Sequence, residues 1–281
     1  MMREISSESI VNALAEMCIE ANHYLTPDME EALKRAVDQE ESPLGKQVLS
    51  QLQENLKIAD EETIPICQDT GMAVVFVEMG QDVHITGSSL SDAINEGVRK
   101  GYTEGYLRKS VVNDPIERVN TKDNTPAVIH YDIVPGDTFK LTLAPKGFGS
   151  ENMSRIFMLK PAEGIEGVKN AVLTAVGDAG PNACPPMVVG VGIGGTFEKA
   201  ALLSKKALTR EAGSHSDIPY VKDLEIELLD RINKSGIGPG GLGGRMTALA
   251  VNVLTYPTHI AGLPVAVNIC CHVNRHSVRE L

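Results

Sequence analysis

The chain has 281 residues, of which 42% are hydrophobic, and this is the composition of a globular protein with one large domain or two smaller ones. Its formal charge is −11 and it has no Lys/Arg stripe, so we expect no nucleic-acid binding. It has neither an uncharged apolar stretch long enough to span a membrane nor a secretory signal in residues 1–6, so we expect no membrane insertion. Its five cysteines, odd in number and without the spacing of a disulfide scaffold, predict a cytoplasmic protein whose cysteines are thiols or metal ligands.

The first 62 residues have the pattern of helices. Ile10, Leu14 and Met17 repeat at helical spacing and predict the first helix. Pro27 and Pro43 each follow a residue with a capping hydroxyl, and each predicts the start of a further helix. Residues 1–62 are therefore predicted to form a helical N-terminal region.

From residue 64 onward, strands alternate with helices. A turn tripeptide at 135–137 joins two predicted strands and suggests a β-hairpin. The predicted strands are 73–78, 83–86, 128–133, 139–143, 187–191, 248–254 and 263–269. The predicted helices are 91–100, one that begins at Pro161, 197–209 and 219–233. The fold class that we expect is mixed α/β, without a strict βαβ rhythm, in one domain over residues 1–281.

Isolated cysteines lie at the edges of apolar runs, beside segments rich in glycine or proline. They are Cys67, Cys184 and one of the pair Cys270 and Cys271. Three thiolates from distant loops suit a cluster of soft metal ions, and three are one ligand short of a closed site. A coordination position left open for substrate is typical of a catalytic metal site. The alternative for Cys67 is a buried thiol in a capped turn.

Other motifs support rival functions. The glycines of 190–195 match the dinucleotide fingerprint G-x-G-x-x-G, although no acidic residue ends a second strand about twenty residues later, as that fingerprint requires. His272 and His276 beside Cys271 could bind zinc in an interaction protein, but no Cys-x-x-Cys pair supports a zinc finger. The glycine run 236–244 is either a backbone nest for an anion or a flexible connector.

Taken together, the motifs resemble the iron–sulfur hydro-lyases of the class I fumarase and L-tartrate dehydratase family. The resemblance covers essentially the whole chain and is carried by the segments 64–71, 146–152, 182–186, 190–196 and 258–268. It implies a [4Fe–4S] cluster held by Cys67, Cys184 and Cys271, with Cys270 as the neighbour of the third ligand. The fold implied is the mixed α/β cluster-binding domain of that family.

The resemblance also implies the substrate contacts. Gln68 and Asp69 follow the first ligand, and Arg108 matches the arginine that pairs with a substrate carboxylate, with Lys109 as the alternative. Gly149 would offer its backbone N–H to the substrate. His259 would face the substrate near the open iron, and Asp69 and His259 are the expected catalytic residues.

The family exists as single chains and as two-chain enzymes. By this resemblance we expect the C-terminal domain of the single-chain members to be missing here and the chain to be the α subunit of the two-chain form, in an α2β2 assembly. The β subunit would supply the catalytic base and further substrate contacts. The expected reaction is reversible hydration of fumarate to L-malate, a step of the tricarboxylic acid cycle, and the alternative is dehydration of L-tartrate to oxaloacetate.

Overall fold

The structure, a computed structural model, describes residues 2–281 and is mixed α/β, as predicted. In chain order its elements are β1 (Arg3–Ser6), α1 (Ser7–His23), α2 (Pro27–Gln39), α3 (Pro43–Glu62), β2 (Met72–Gly80), β3 (Val83–Thr86), α4 (Leu90–Glu104), β4 (Val128–Val134), β5 (Phe139–Lys146), α5 (Phe148–Glu151), β6 (Arg155–Leu159), α6 (Gly164–Ala179), β7 (Met187–Gly194), α7 (Phe197–Ala207), α8 (Pro219–Asn233), β8 (Ala248–Tyr256), β9 (Leu263–Cys270) and β10 (Ser277–Glu280). No helix of the described residues is long and apolar enough to cross a membrane.

The chain divides into two compact units that interleave along the sequence. The first unit contains the residues up to Thr26, Ile58–Phe148 and Arg275–Leu281, and the second contains Pro27–Lys57 and Gly149–Asn274. The three helices of the region 1–62 form as predicted, apart from the short strand β1, but they are shared between the units. A single domain over 1–281 remains a prediction.

The first unit is built on a four-stranded sheet in the order β10-β5-β2-β4. Helices α1 and α4 pack against each other at short range, because a Cβ at Gly97 would come within 2.7 Å of Leu14 and one at Gly101 within 2.7 Å of Ala15. Their buried side chains join those of β2 and β5 in one aliphatic core. The fully buried Tyr102 of α4 belongs to this core and lies beneath the loop that leads into β2.

The predicted hairpin between β4 and β5 is wrong. The turn at 135–137 is present, but β2 lies between the two strands, parallel to β4 and antiparallel to β5. The end of β2 passes close to the turn, and a Cβ at Gly80 would lie 2.2 Å from the carbonyl oxygen of Gly136. β2 is the most continuously apolar of the three strands, so the central position buries it on both faces.

The second unit has a four-stranded sheet in the order β6-β9-β7-β8 with helices on both faces. Val189 and Val191 of β7 face the core formed with α6 and α8. On the opposite face, Gly190 and Gly192 lie against α7. A Cβ at Gly190 would lie 2.2 Å from the Ser204 carbonyl oxygen, and one at Gly192 would lie 2.1 Å from the Ala200 carbonyl oxygen. These glycines allow the helix backbone to approach the sheet closely.

Candidate functional site

The first predicted ligand, Cys67, lies in the loop between α3 and β2. The sulfur of Cys67 is half-buried and accepts a hydrogen bond from the backbone N–H of Asp69 at 3.4 Å. Its thiol lies 3.3 Å from the amide oxygen of the exposed Gln68. The loop then turns at Gly71, whose φ is +75° and where a Cβ would lie 2.7 Å from the Lys146 backbone, so only glycine fits.

Asp69 orders this turn through both of its carboxylate oxygens. One oxygen accepts the N–H of Gly71 at 3.1 Å and the other accepts the N–H of Phe148 at 2.9 Å. The backbone carbonyl of Asp69 accepts a hydrogen bond from Arg275. The carboxylate therefore already has two backbone partners before any ligand binds, and its catalytic role remains a prediction.

Arg108 lies beside the same loop in the first unit. The hydroxyl of Thr70 donates to the Arg108 carbonyl at 3.2 Å, and the side chain of Asn124 donates to the Gly71 carbonyl at 3.1 Å while accepting the N–H of Ser110. The segment after α4 is thus tied to the segment that carries Cys67. The Arg108 side chain is exposed, and none of the residues 2–281 pairs with its guanidinium. The structure therefore brings Arg108 together with Gln68 and Asp69.

The other two predicted ligands belong to the second unit and lie near each other there. Cys184 is exposed on a turn before β7, with a φ of +51°, and Cys271 directly follows β9. His272 connects the two segments, since its ring Nδ1 lies 3.0 Å from the Cys184 carbonyl oxygen. Cys270 is only 4% exposed and pairs with Val188 inside the sheet, whereas Cys271 is half-buried beyond the end of the strand. Accessibility thus favours Cys271 over Cys270 as a ligand.

His259 is not close to these two cysteines. It lies in the exposed loop between β8 and β9, which is fixed by a hydrogen bond from Thr258 to the Gly195 carbonyl at 2.9 Å. Cys271 lies at the other end of β9, and this eight-residue strand spans on the order of 20–25 Å at about 3.4 Å per residue. The structure therefore places His259 and the pair Cys184 and Cys271 at opposite ends of the second sheet.

Gly149 lies in the short helix α5 and is exposed. A Cβ added there would meet nothing within 4 Å, in contrast to the crowded glycines of β7. The packing of the chain therefore does not require glycine at this position. Open space above a backbone N–H is what close approach of a ligand needs.

The glycine run 236–244 ends against the carboxylate of Glu40, a residue that the sequence analysis missed, because a Cβ at Gly244 would lie 2.7 Å from Glu40 Oε1. The Glu40 carboxylate, 2% exposed, accepts the backbone N–H of Arg245 at 2.9 Å and that of Met246 at 2.7 Å. Burial alone would raise the pKa of Glu40, but four backbone N–H donors outweigh it and lower the pKa. The run also approaches the Cys184 turn, because the N–H of Gly240 donates to the Pro185 carbonyl at 2.8 Å.

Comparison with known proteins identifies the family. A family model described as fumarate hydratase (Fumerase) matches residues 11–280. The chain belongs to the fumarate hydratase (Fumerase) family. It is therefore a hydro-lyase, and the predicted enzyme class and family are confirmed.

Relatives of this Fumerase-family chain include proteins named for another substrate. A provisionally named L(+)-tartrate dehydratase subunit alpha from Methanocaldococcus jannaschii is 41% identical over 278 residues, which cover 97% of each chain. The L(+)-tartrate dehydratase subunit alpha of Escherichia coli strain UTI89 is 33% identical over 283 residues, 98% of this chain and 93% of the relative. That of Escherichia coli strain K12 is 32% identical over the same length.

The two rival functions do not fit this Fumerase-family structure. Gly190 and Gly192 lie inside β7 rather than in the turn that opens the helix, where the dinucleotide fingerprint would need its glycines. A zinc site would need several donors converging on one ion, and among residues 2–281 no group of three His, Cys, Asp or Glu side chains is arranged to hold one.

The three thiols predicted as ligands, taken by residue type and exposure, fit an iron–sulfur cluster better than a single metal ion. In a [4Fe–4S] cluster each cysteine binds a different iron, so the sulfurs need not converge on one point. All five cysteines of the described chain are thiols, and Cys67, Cys184 and Cys271 are accessible while Cys18 and Cys270 are buried. Burial strongly raises the pKa of the Cys18 thiol, which disfavours metal binding there.

Proposed function

We propose that the chain is the α subunit of an L-tartrate dehydratase, which converts L-tartrate to oxaloacetate and water. The observation that carries this proposal is the similarity, over nearly the full length of both chains, to relatives named as L(+)-tartrate dehydratase α subunits. The sequence motifs alone favoured fumarate, with tartrate as the alternative, and the comparisons reverse that preference.

The proposed cofactor is a [4Fe–4S] cluster with Cys67, Cys184 and Cys271 as ligands. This choice is supported by the accessible positions of the three thiols and by the N–H of Asp69 that donates to the Cys67 sulfur. The cluster would supply a Lewis-acidic iron without a protein ligand, which favours departure of a hydroxyl group. Cys270 serves the core of the second unit, because it is buried within β9.

The residues of the first unit bind and orient the substrate. Arg108 pairs one carboxylate of the diacid with its two-pronged guanidinium, and Gln68 offers an exposed amide to a hydroxyl. Asp69 keeps the turn in shape through its bonds to Gly71 and Phe148 rather than moving a proton. Gly149, a residue of the second unit, offers a backbone N–H in open space. We assign His259 no contact with the reacting carbons, because it lies far from Cys271 along the sheet.

The reaction removes water from two neighbouring carbons. The C–OH bond of one carbon and the C–H bond of the other break, a C=C bond forms, and the resulting enol becomes oxaloacetate by moving a proton from oxygen to carbon. We propose that a separate β subunit supplies the base that takes the carbon-bound proton, in an α2β2 assembly. The names of the relatives, which are α subunits, support a partner of this kind.

Fumarate hydration is the second candidate, because the matching family model is described as fumarate hydratase. The hydroxy acids of the two reactions, L-tartrate and L-malate, differ at the second carbon, where tartrate has a hydroxyl group and malate has none. A site that hydrogen-bonds this hydroxyl would leave a polar group unpaired when fumarate or malate binds, so we expect strong discrimination.

The test is a comparison of substrates on the full chain produced with its partner and reconstituted with iron and sulfide without oxygen. Oxaloacetate is followed through NADH oxidation by malate dehydrogenase, and fumarate and L-malate are assayed in parallel. We expect kcat/KM for L-tartrate to exceed that for L-malate by at least about tenfold, and D-tartrate to be a poor substrate. A preference for L-malate and fumarate would replace the tartrate proposal with the fumarate one. A colourless, iron-free active enzyme would refute the cluster.

A further inference from the structure

Arg275 is a buried arginine whose guanidinium has no counter-ion among residues 2–281. Its side chain belongs to the first unit and is 4% exposed. Its Nη2 donates to the Asp69 carbonyl, while Nε and Nη1 are buried without a hydrogen-bond acceptor among residues 2–281. No carboxylate of these residues forms an ion pair with it.

An isolated buried guanidinium is unfavourable, since desolvation of its charge is not offset by a counter-ion. Two other buried charges of the described residues are compensated. The buried Glu225 is paired with Arg210 at 2.6 Å, and the buried Glu40 carboxylate accepts backbone N–H groups. The exception at Arg275 therefore indicates an anion that is not a side chain of the described residues.

The position of Arg275 indicates which anion this is. Its side chain donates a hydrogen bond to the carbonyl of Asp69, two residues after Cys67. The hydroxyl of Tyr102 donates to the next carbonyl, that of Thr70, at 2.7 Å. A cluster bound by three thiolates carries net negative charge, and nearby positive charge is one of the factors that set its reduction potential. A fixed cation under the Cys67 turn would oppose that negative charge.

We propose that Arg275 is a positioning residue that holds the turn of Cys67 through the Asp69 carbonyl and supplies the positive charge that offsets the anionic cluster. This inference rests on the proposed function, because it requires a cluster at Cys67. Arg275 touches neither substrate nor reacting atoms. It acts through the turn and through its charge.

The test compares Arg275→Gln, which removes the charge, with Arg275→Lys, which keeps it. The matched control is Arg279→Gln, because Arg279 lies on β10 of the same unit, has a side chain that is 41% exposed, and pairs with Glu20 at 3.0 Å. The full chains are reconstituted without oxygen, and iron and sulfide are counted. The cluster is then titrated by potential with EPR detection. Amide exchange of the 66–71 segment is measured on the iron-free chains.

We expect Arg275→Gln to shift the cluster potential to a more negative value, since removing a positive charge favours the oxidised cluster. Arg275→Lys should keep the potential near that of wild type. Both variants should speed amide exchange at 66–71 in the iron-free chain, and Arg279→Gln should change neither property. A merely structural role would not separate the Gln and Lys variants by potential.

The outcomes separate this inference from the proposed function. A wild-type chain that takes up no cluster refutes the proposed function. A wild-type cluster whose potential is the same in Arg275→Gln overturns the inference alone. If Arg275→Gln does not fold, Arg275→Lys decides. Amide exchange at 66–71 that is unchanged from wild type, or a cluster potential clearly different from that of wild type, overturns the inference.

Discussion

Replacing Glu40 by glutamine should destabilise the second unit by removing the anion that accepts the backbone N–H groups of Arg245 and Met246, directly after the glycine run. One carboxylate oxygen accepts the N–H groups of Glu41 and Ser42, each at 2.8 Å, and that of Arg245 at 2.9 Å. The other accepts the N–H of Met246 at 2.7 Å and shares that of Arg245 at 3.0 Å. A glutamine can accept with its oxygen, but its NH2 group would face N–H donors.

The expected loss in the free energy of unfolding follows from the backbone N–H groups that lose their acceptor. Glu40→Gln leaves the N–H of Met246 without one and weakens the bond from Arg245. A buried N–H left unsatisfied costs about 1–3 kcal/mol, so we expect a loss of about 2–4 kcal/mol in the free energy of unfolding. The neighbouring Glu41→Gln is the matched control, because its exposed side chain pairs only with Arg245 at 3.3 Å and should cost less than about 1 kcal/mol.

The effect of Glu40 should also depend on pH. Burial would raise its pKa, but the backbone donors lower it below the ordinary value of 4.5. A carboxylate with a lowered pKa in the folded state contributes its full stabilisation above 4.5, and this is lost as pH falls through the folded-state value. The difference between wild type and Glu40→Gln should therefore be largest near neutral pH and shrink in acid.

The assay is urea unfolding of the full chains at several pH values, combined with amide exchange at Arg245 and Met246. These two amides report the hydrogen bonds to Glu40 directly, even where the two units unfold separately. A loss for Glu40→Gln no larger than that for Glu41→Gln, or a difference independent of pH, would refute the reasoning.

Further predictions concern the cluster and the substrate. Cys67→Ser or Cys184→Ser should lose bound iron, whereas Cys18→Ser should retain it, as measured by iron analysis after anaerobic reconstitution. An iron content of Cys184→Ser equal to that of wild type would contradict the proposed ligands. Arg108→Lys should lower kcat/KM by about ten- to a thousandfold with iron content unchanged, because lysine lacks the two-pronged geometry of the guanidinium. Near-wild-type kinetics would assign the binding of the substrate carboxylate to Lys109 or the partner. Gly149→Ala should leave the urea midpoint unchanged, since its Cβ meets nothing within 4 Å, yet raise KM; an unchanged KM would show that no ligand approaches there.

Much of the fold could be predicted because local signals and tertiary structure agree. The prolines at Pro27, Pro43 and Pro219 begin α2, α3 and α8 where the sequence placed them. The predicted strands 73–78 and 83–86 correspond to β2 and β3. These elements combine strong periodicity with unambiguous start signals, so non-local contacts had little to override.

What failed depends on contacts far apart in the sequence. The hairpin prediction was wrong because a turn signal cannot reveal that β2 enters between its strands. β6 and β10 were missed because each is short and gains its backbone partners from distant strands, β9 and β5. Glu40 was missed because its donors lie about two hundred positions later in the chain.

The candidate site also contains residues that the sequence could predict and residues that it could not. The family motifs identified Cys67, Arg108 and Gly149 by residue type, and the structure adds how the first two segments are tied together. Nothing in the sequence pattern marked Arg275, because an arginine near a strand is ordinarily exposed. His259 stood out in the sequence as a lone loop histidine, yet strand direction places it far from Cys271.

The interleaved path of the chain has a consequence for synthesis. The first unit cannot be completed by its N-terminal residues alone, because β10 is an edge strand of its sheet and Arg275 supports its Cys67 turn. Both follow the entire second unit in the sequence. During translation the second unit can close first, while α1, β2 and α4 wait with an open sheet edge. The Cys67 turn thus gains the support of Arg275 only after the second unit has been made, which would delay loading of the proposed cluster until that support is in place.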